Sequence, residues 1–379
     1  MLTSPSLSTL GAMTLSRVYG FKPQSIYKFI EEAGSIENLF RLDDNHRQSL
    51  KLGDDALEYS LKEWERMRAL GARFISIEDE AYPGLLRECE DAPIGLYYRS
   101  DSEPEEFFSR PMISIVGTRD ISPYGRLWCQ NIVHALAQAP TKPSIVSGLA
   151  LGVDGVAHES ALRESLPTIA VLPTGIESYS PRSHYQLSEK CAHTPNCALI
   201  SDFPIGYPIT AANFLRRNRI IAGLSRATIL IESKKHGGGL ITARLASEYN
   251  RDVFVLPGRI DDIRSQGCNN LLEQELAEVI ANLETLSSRL GLGRTYLSAR
   301  GSFCERIENH YSNLPPEMLE DLLKVANCIT EHRNDMMEEI AQRCSLTYSR
   351  VLSLCMMMQK DGFLQIDLLQ RCHIIVKNS

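Results

Sequence analysis

The central part of the chain alternates short apolar runs with longer amphipathic segments. Six runs of four or five mostly apolar residues are too short for helices and are expected to be strands. Runs that are apolar at successive positions are typical of strands buried on both faces of a parallel sheet. The pattern therefore predicts a Rossmann-like α/β domain with a mostly parallel sheet over residues 71–290. The expected strands are 113–116, 144–147, 168–172, 198–201, 228–231 and 252–256.

The N-terminal part has a helical pattern instead. Apolar residues recur at helical spacing in 25–33 and 56–70, which predicts a small helical domain over residues 1–70. Gly34 and Gly71 are the expected helix ends. The glycines do not form the hairpin of a helix-hairpin-helix DNA-binding motif. We therefore interpret this domain as a packing or oligomerisation module.

The C-terminal part follows a linker at residues 291–314. Three helical patterns and then a short strand pattern predict a winged-helix-like domain over residues 315–379. From residue 316 onward the chain holds seven basic and nine acidic residues, too few cations for a helix that reads DNA. We expect this domain to serve stability or protein contact. The methionines at 356–358 are interpreted as core, with a partner-binding face as the alternative.

Basic residues cluster in one region of an acidic protein. The formal net charge is -7, yet residues 215–251 hold eight Lys and Arg against two Glu. A local basic patch of this kind is typical of a phosphate-binding site. Arg216, Arg217 and Arg219 stand at its start, closely after Phe214. The alternatives are that the arginines form ion pairs on a helix face and that Phe214 is an ordinary core residue.

The candidate residues follow different expected strands. Arg119 follows the first strand, Gly148 the second, and Gly238 and Gly239 lie after the fifth. Ligands of parallel α/β sheets bind beyond the carboxyl ends of the strands, so we expect these loops to form one pocket. Glycine turns at helix starts leave backbone N–H groups free for phosphate oxygens. The fingerprints GxGxxG and GxxxxGK[ST] do not occur there, which argues against hydride transfer and ATP hydrolysis.

Composition adds further expectations. Ten scattered cysteines and the lack of a signal-peptide pattern in the first 15 residues predict a cytoplasmic protein with reduced thiols. We expect no metal site, although Cys191, His193 and Cys197 are potential ligands. We also expect no cofactor and no membrane span. Asp154 and His158 could form an acid–base pair, but an Asp at a helix start is ordinarily a cap.

Several motifs in the same order resemble the DNA-processing protein A family (DprA, also called Smf). They include Ile-Val-Gly-Thr-Arg at 115–119, Ile-Val-Ser-Gly-Leu-Ala-Leu-Gly-Val-Asp-Gly at 145–155 and Gly-Gly-Leu-Ile-Thr-Ala at 238–243. The run at 214–225 and Arg-Asp-Val-Phe-Val-Leu-Pro-Gly at 251–258 also match. The resemblance is close over residues 70–285 and loose at both ends.

The resemblance implies a single-stranded DNA-binding protein that assists loading of the recombinase RecA in recombination and natural transformation. It favours a homodimer and no catalytic activity. The alternatives are a nucleotide phosphoribohydrolase-like enzyme, whose Pro-Gly-Gly-x-Gly-Thr motif and following Glu are missing here, and a structural scaffold. The residues that the resemblance assigns to the DNA pocket are Arg119, Gly148, Phe214, Arg217, Asn218, Arg219, Gly238 and Gly239.

Overall fold

The structure is a computed structural model that describes residues 4–41, 50, 52, 55–293, 303–332, 335–367 and 370–374. Packing divides the chain into two compact units, Met1–Thr295 and Tyr296–Ser379. The dividing point lies inside the predicted linker. Each unit is therefore described by itself.

The first unit begins with helices, as predicted. α2 ends at Gly34 and the chain turns again at Gly71, two glycines with positive φ angles of 81° and 68°. Only glycine adopts this left-handed conformation without strain, which explains both helix ends. The helices are α1 (Leu7–Tyr19), α2 (Gln24–Ala33), α3 (Ile36–Arg41) and α4 (Ala56–Ala69).

A nine-stranded sheet forms the centre of the first unit. Its strand order is β1-β2-β6-β5-β4-β3-β7-β8-β9, and the pairs from β6 to β9 are all parallel. The six predicted strands are confirmed as β3 to β8. The first two strands and β9 were not predicted, and β1 and β2 pair antiparallel. The strands are β1 (Arg73–Ser76), β2 (Gly95–Arg99), β3 (Met112–Val116), β4 (Ser144–Ser147), β5 (Thr168–Val171), β6 (Ala198–Ser201), β7 (Ala227–Leu230), β8 (Asp252–Val255) and β9 (Glu278–Val279).

Helices cover both faces of this sheet. Along β3, Ile113 and Ile115 point into one hydrophobic cluster, whereas Met112 and Val116 point into the other. Side chains alternate between the faces of a strand, so the two clusters are two separate cores. This is the predicted Rossmann-like α/β architecture. The helices are α5 (Gly84–Arg87), α6 (Pro104–Phe107), α7 (Pro123–Ala137), α8 (Val153–Arg163), α9 (Tyr185–His193), α10 (Ala211–Leu224), α11 (Gly238–Glu248), α12 (Gln266–Glu273) and α13 (Leu286–Arg289).

The N-terminal helices share a core with the sheet. Met13 and Met67 pack in one cluster with Leu149 and Leu172. Glu63, which is 2% exposed, accepts hydrogen bonds from the Tyr97 hydroxyl at 3.0 Å and from the Ile205 N–H at 2.8 Å. The predicted boundary at residue 70 therefore does not coincide with a break in packing.

The second unit has the predicted order of elements. α14 (Phe303–His310) lies within the predicted linker, and α15 (Pro316–Glu331), α16 (Met337–Cys344) and α17 (Tyr348–Lys360) follow. β10 (Leu364–Ile366) and β11 (Cys372–Ile374) pair antiparallel. Cys355 and Met358 are fully buried, as expected of core residues, whereas Met356 is exposed. The assignment as a winged helix stays a prediction.

The ten cysteines, all among the described residues, form no disulfide bond, and eight of them are buried. Burial raises the pKa of the Cys129 and Cys268 thiols to about 12. Buried thiols of this kind are unreactive packing residues. Among the helices that the structure describes, none has the length and apolar character to cross a membrane.

Candidate nucleic-acid interface

A cavity of about 380 Å³ lies at the carboxyl edge of the sheet. Loops after β3, β4 and β7 form its walls together with one side of α10 and the start of α11. The convergence of these loops, which are distant in sequence, agrees with the expectation drawn from the strand pattern. The lining residues are Val116, Gly117, Thr118, Arg119, Asp120, Ala150, Asp154, Phe214, Leu215, Arg217, Asn218, Ile221, Ser233, Lys234, Gly237, Gly238, Gly239 and Thr242.

Arg119 and Phe214 meet at this cavity. The guanidinium carbon of Arg119 lies 5.0 Å from the centre of the Phe214 ring, a cation–π contact. Arg119 is exposed and Phe214 is half-buried, so both remain accessible to a ligand. Phe214 is therefore not a closed core residue. The pair offers a positive charge and an aromatic face at the same place.

The glycine loop before α11 forms another wall. Gly239 is required there, because a Cβ atom would lie 2.8 Å from the Cα of Gly117. Helix geometry leaves the first-turn N–H groups of Gly238 and Gly239 without carbonyl partners inside α11. Lys234 is exposed at the rim. Free amides at a helix start and a nearby cation are the usual components of a phosphate site.

Asn218 joins two of the walls. Its side chain is 8% exposed and its Nδ2 lies 3.4 Å from the carbonyl oxygen of Gly238. Its Oδ1 accepts a hydrogen bond from Arg217 Nε at 3.2 Å. These contacts fix α10 against the start of α11, so Asn218 both lines the cavity and holds its shape.

Arg217 lines the cavity from a buried position. It is 4% exposed, and its guanidinium donates hydrogen bonds to the carbonyl oxygens of Gly148 and Val171. Burial lowers the pKa of Arg217 to about 10, although the nearby Asp154 acts in the opposite direction. A Cβ atom at Gly148 would lie 2.2 Å from this guanidinium. Gly148 thus makes room for Arg217 and is not among the lining residues.

The structure places Arg219 away from the cavity. Arg219 and Arg216 lie on one face of α10, and both donate to Asp202 Oδ2, at 2.6 and 2.7 Å. Arg219 also donates to the carbonyl oxygen of Asp91, and Asp202 is 2% exposed. The alternative of ion pairing therefore describes these two arginines, except that their pairs are buried rather than solvated.

Asp154 and His158 do not form an acid–base pair. Asp154 Oδ2 lies 3.2 Å from the Gly148 N–H nitrogen and 3.4 Å from that of Ala150, so it caps the loop before α8. Burial raises the pKa of Asp154, and Arg217 opposes this shift. His158 is fully buried, and its Nδ1 lies 2.7 Å from Thr168 Oγ1. Burial lowers the pKa of His158 to about 3. Both residues are explained by structural roles.

The possible metal ligands are also accounted for. Cys191 and Cys197 are fully buried, and Cys197 Sγ accepts a hydrogen bond from the Thr168 N–H at 3.2 Å. His193 lies 3.0 Å from Asp101. Within the described ranges, no group of three or more His, Cys, Asp or Glu side chains could hold a metal ion.

Asp120, Ser233 and Thr242 are polar lining residues that the sequence analysis did not assign to the DNA pocket. Ser233 directly follows the β7 region, Thr242 lies one helical turn after Gly238, and Asp120 follows Arg119. Asp120 Oδ2 is paired with Arg264 at 2.9 Å. The position of Ser233 after an expected strand was the available signal. The helical spacing from Gly238 to Thr242 was a weaker one.

The fold and the cavity define a Rossmann-like α/β protein whose basic, aromatic-edged cavity lies at the carboxyl edge of its sheet. A family model described as DNA recombination-mediator protein A matches residues 73–291. The chain belongs to this family.

Named relatives agree with this membership. Protein Smf of Synechocystis sp. is 36% identical over 280 residues, which cover 74% of this chain and 64% of that protein. The chain therefore spans somewhat less than two thirds of the length of this relative. The X-ray structure of DNA processing protein A (DprA) from Streptococcus pneumoniae is 29% identical, with a TM-score of 0.61, and covers 75% of this chain and 98% of that one.

A second solved structure concerns the single-stranded DNA binding mode of DNA processing protein A from Helicobacter pylori. It is 30% identical to this chain, with a TM-score of 0.51. The match covers 57% of this chain and 95% of that one. The likeness thus extends to a relative described by its single-stranded DNA binding.

Proposed function

We propose that this protein binds single-stranded DNA through the cavity at the carboxyl edge of its sheet. The observation that carries the proposal is the contact of Arg119 with Phe214, 5.0 Å apart, beside the free amides of α11. Single-strand binding without sequence preference needs a positive groove for the backbone and an aromatic face for a base. Family membership and the description of the Helicobacter pylori relative support the same conclusion.

Each part of the cavity has a role in this proposal. A base stacks on Phe214, and a phosphate accepts hydrogen bonds from Arg119 and from the amides of Gly238 and Gly239. Lys234 adds charge at the rim. Arg217 and Asn218 keep the cavity in shape, because their hydrogen bonds are to protein groups. Gly148 and Arg219 act behind the walls and do not contact DNA.

Titration of a fluorescent oligo-dT and of a duplex of equal length, each at two salt concentrations, tests the proposal. We expect tighter binding of the single strand and a salt slope of roughly -0.7 per neutralised phosphate. The variant Arg119→Ala should bind weakly while keeping its thermal stability, because Arg119 is exposed. Equal affinity for duplex, or no effect of salt, would contradict the proposal.

We propose a binding function rather than hydrolysis of nucleotides. Two carboxylates line the cavity, and both are engaged: Asp154 by backbone amides and Asp120 by Arg264. A phosphoribohydrolase would need an available carboxylate. Thin-layer detection of base release from nucleoside monophosphates tests this, and release above the level of a protein-free blank would favour the enzyme.

We also propose, from family membership, that the protein assists RecA loading in recombination and natural transformation, and that it acts as a homodimer. RecA assembly on a single strand, followed with and without the protein, tests the first part. Analytical ultracentrifugation of the full chain tests the second. Unchanged RecA assembly, or a monomer at micromolar concentration, would contradict the respective statement.

A further inference from the structure

The loop after β5 lies next to the loop after β4 at the carboxyl edge of the sheet, because β4 and β5 are neighbouring parallel strands. Residues 172–184 form this loop, and His184 Nδ1 lies 2.9 Å from the carbonyl oxygen of Leu149. A Cβ atom at Gly155 would lie 2.7 Å from His184 Cε1. The β5 loop therefore packs directly on the β4 loop, whose Ala150 lines the cavity.

An exposed aromatic side chain stands at the end of this loop. Tyr185 begins α9 and is 54% exposed, and Leu151 on the adjoining β4 loop is 47% exposed. The Tyr185 ring lies 5.6 Å from the Tyr179 ring at an angle of 67°, an edge contact that orients it. Tyr185 thus offers a π-face directly after His184, the residue through which the β5 loop packs on the β4 loop.

The arginines on the two sides of the cavity differ in whether they are paired with carboxylates. On the opposite side, in the loop after β8, Arg259 is paired with Asp261 at 2.7 Å and Arg264 with Asp120 at 2.9 Å. On the β5 side, Arg182 is exposed, and no acidic side chain among the described residues lies within ion-pair distance of it. Arg182 can therefore pair with a phosphate of a strand that reaches the β5 loop.

We propose that Tyr185 and Arg182 form a second contact site for single-stranded DNA. One nucleotide occupies the cavity on Phe214, the strand crosses Ala150 and Leu151, a further base stacks on Tyr185 and its phosphate pairs with Arg182. This proposal rests on the proposed function of the cavity. To that function it adds the direction in which the strand leaves the cavity and a second stacking position, which only a longer strand reaches.

The test compares oligo-dT of about four nucleotides with one of about fifteen, a range typical of single-strand sites. Tyr185→Ala should weaken binding of the long oligomer by about 5- to 150-fold, the range of one lost base–aromatic stack. It should leave the short oligomer unaffected. Tyr185→Phe keeps the ring and should bind as the wild type does. Arg182→Ala should reduce the salt slope for the long oligomer by about 0.7.

Tyr59→Ala is the matched control, since Tyr59 is also an exposed tyrosine, at 48%, but lies on α4. An equal loss of affinity in Tyr59→Ala, or equal losses of affinity for the short and the long oligomer in Tyr185→Ala, would overturn the proposal of a second site. If Arg119→Ala weakens both oligomers and Tyr185→Ala weakens neither, the cavity stands and the second site is wrong. If the wild type binds neither oligomer, both proposals are wrong.

Discussion

Replacing Arg219 with alanine should unfold the protein more easily rather than release DNA. Arg219 is 7% exposed and donates to Asp202 Oδ2 at 2.6 Å and to the carbonyl oxygen of Asp91. Its removal takes this donor from the part-buried Asp91 carbonyl and leaves the buried Asp202 with only Arg216. Breaking a buried ion pair from one side costs about 3–5 kcal/mol. In a unit of this size such a loss lowers the melting temperature by about 5–8 °C.

Thermal unfolding followed by circular dichroism measures this effect, and oligo-dT titration below the transition measures binding. A double-mutant cycle with Asp202→Ala should give less than the sum of the single losses, because the two residues share one interaction. Arg119→Ala is the matched control. Because Arg119 is exposed, this variant should keep its melting temperature and lose oligo-dT affinity. Unchanged stability of Arg219→Ala together with lost DNA affinity would refute the structural role of Arg219.

Three further outcomes follow from the same contacts. Arg119→Lys keeps the charge but loses the planar fork of the guanidinium, so oligo-dT binding should weaken by roughly 1–2 kcal/mol. An unaltered binding isotherm for Arg119→Ala would contradict the role of this residue. The pKa of His158 is lowered to about 3 from 6.5, so the unfolded chain binds the extra proton between these values and stability falls on acidification. The free energy of unfolding, measured with denaturant from pH 5 to 7, should depend less steeply on pH in His158→Gln than in the wild type, by up to about 1.4 kcal/mol per pH unit. The same pH dependence in both proteins would contradict the buried neutral state of His158. Deleting residues 296–379 should leave oligo-dT affinity largely intact, because the two units have separate cores; a truncated chain that stays folded by circular dichroism but loses most affinity would return the C-terminal unit to a DNA role.

The parallel strands could be predicted because each is a short apolar run that ends at a loop. β1 and β2 could not, since Arg73 and Arg99 at their outer ends interrupt the apolar pattern and their antiparallel partners are set by tertiary packing. The core that Tyr97 of β2 shares with Met13 and Met67 is a tertiary contact, which the change of sequence pattern at residue 70 does not reveal. Local sequence does not show that Glu63 will bond Tyr97 and Ile205.

The arginine run gave the site region but not the direction of each side chain. Successive residues of a helix point about 100° apart, so Arg216 and Arg219 share a face while Phe214 and Asn218 share another. Asp202 follows β6, and the fold brings it against the face of α10 that carries Arg216 and Arg219, so these two arginines are the paired ones. Arg119 and Phe214, far apart in sequence, line one cavity, which agrees with what the family resemblance implied.

The most direct test of the central claim is ultraviolet cross-linking of oligo-dT to the full chain, with the attached peptides identified by mass spectrometry. We expect the main cross-link at Phe214, which should disappear in Phe214→Ala and return in Phe214→Trp, because the base stacks on this ring. Cross-links concentrated in residues 316–379, with Phe214→Ala unchanged, would contradict the claim that the cavity binds the strand.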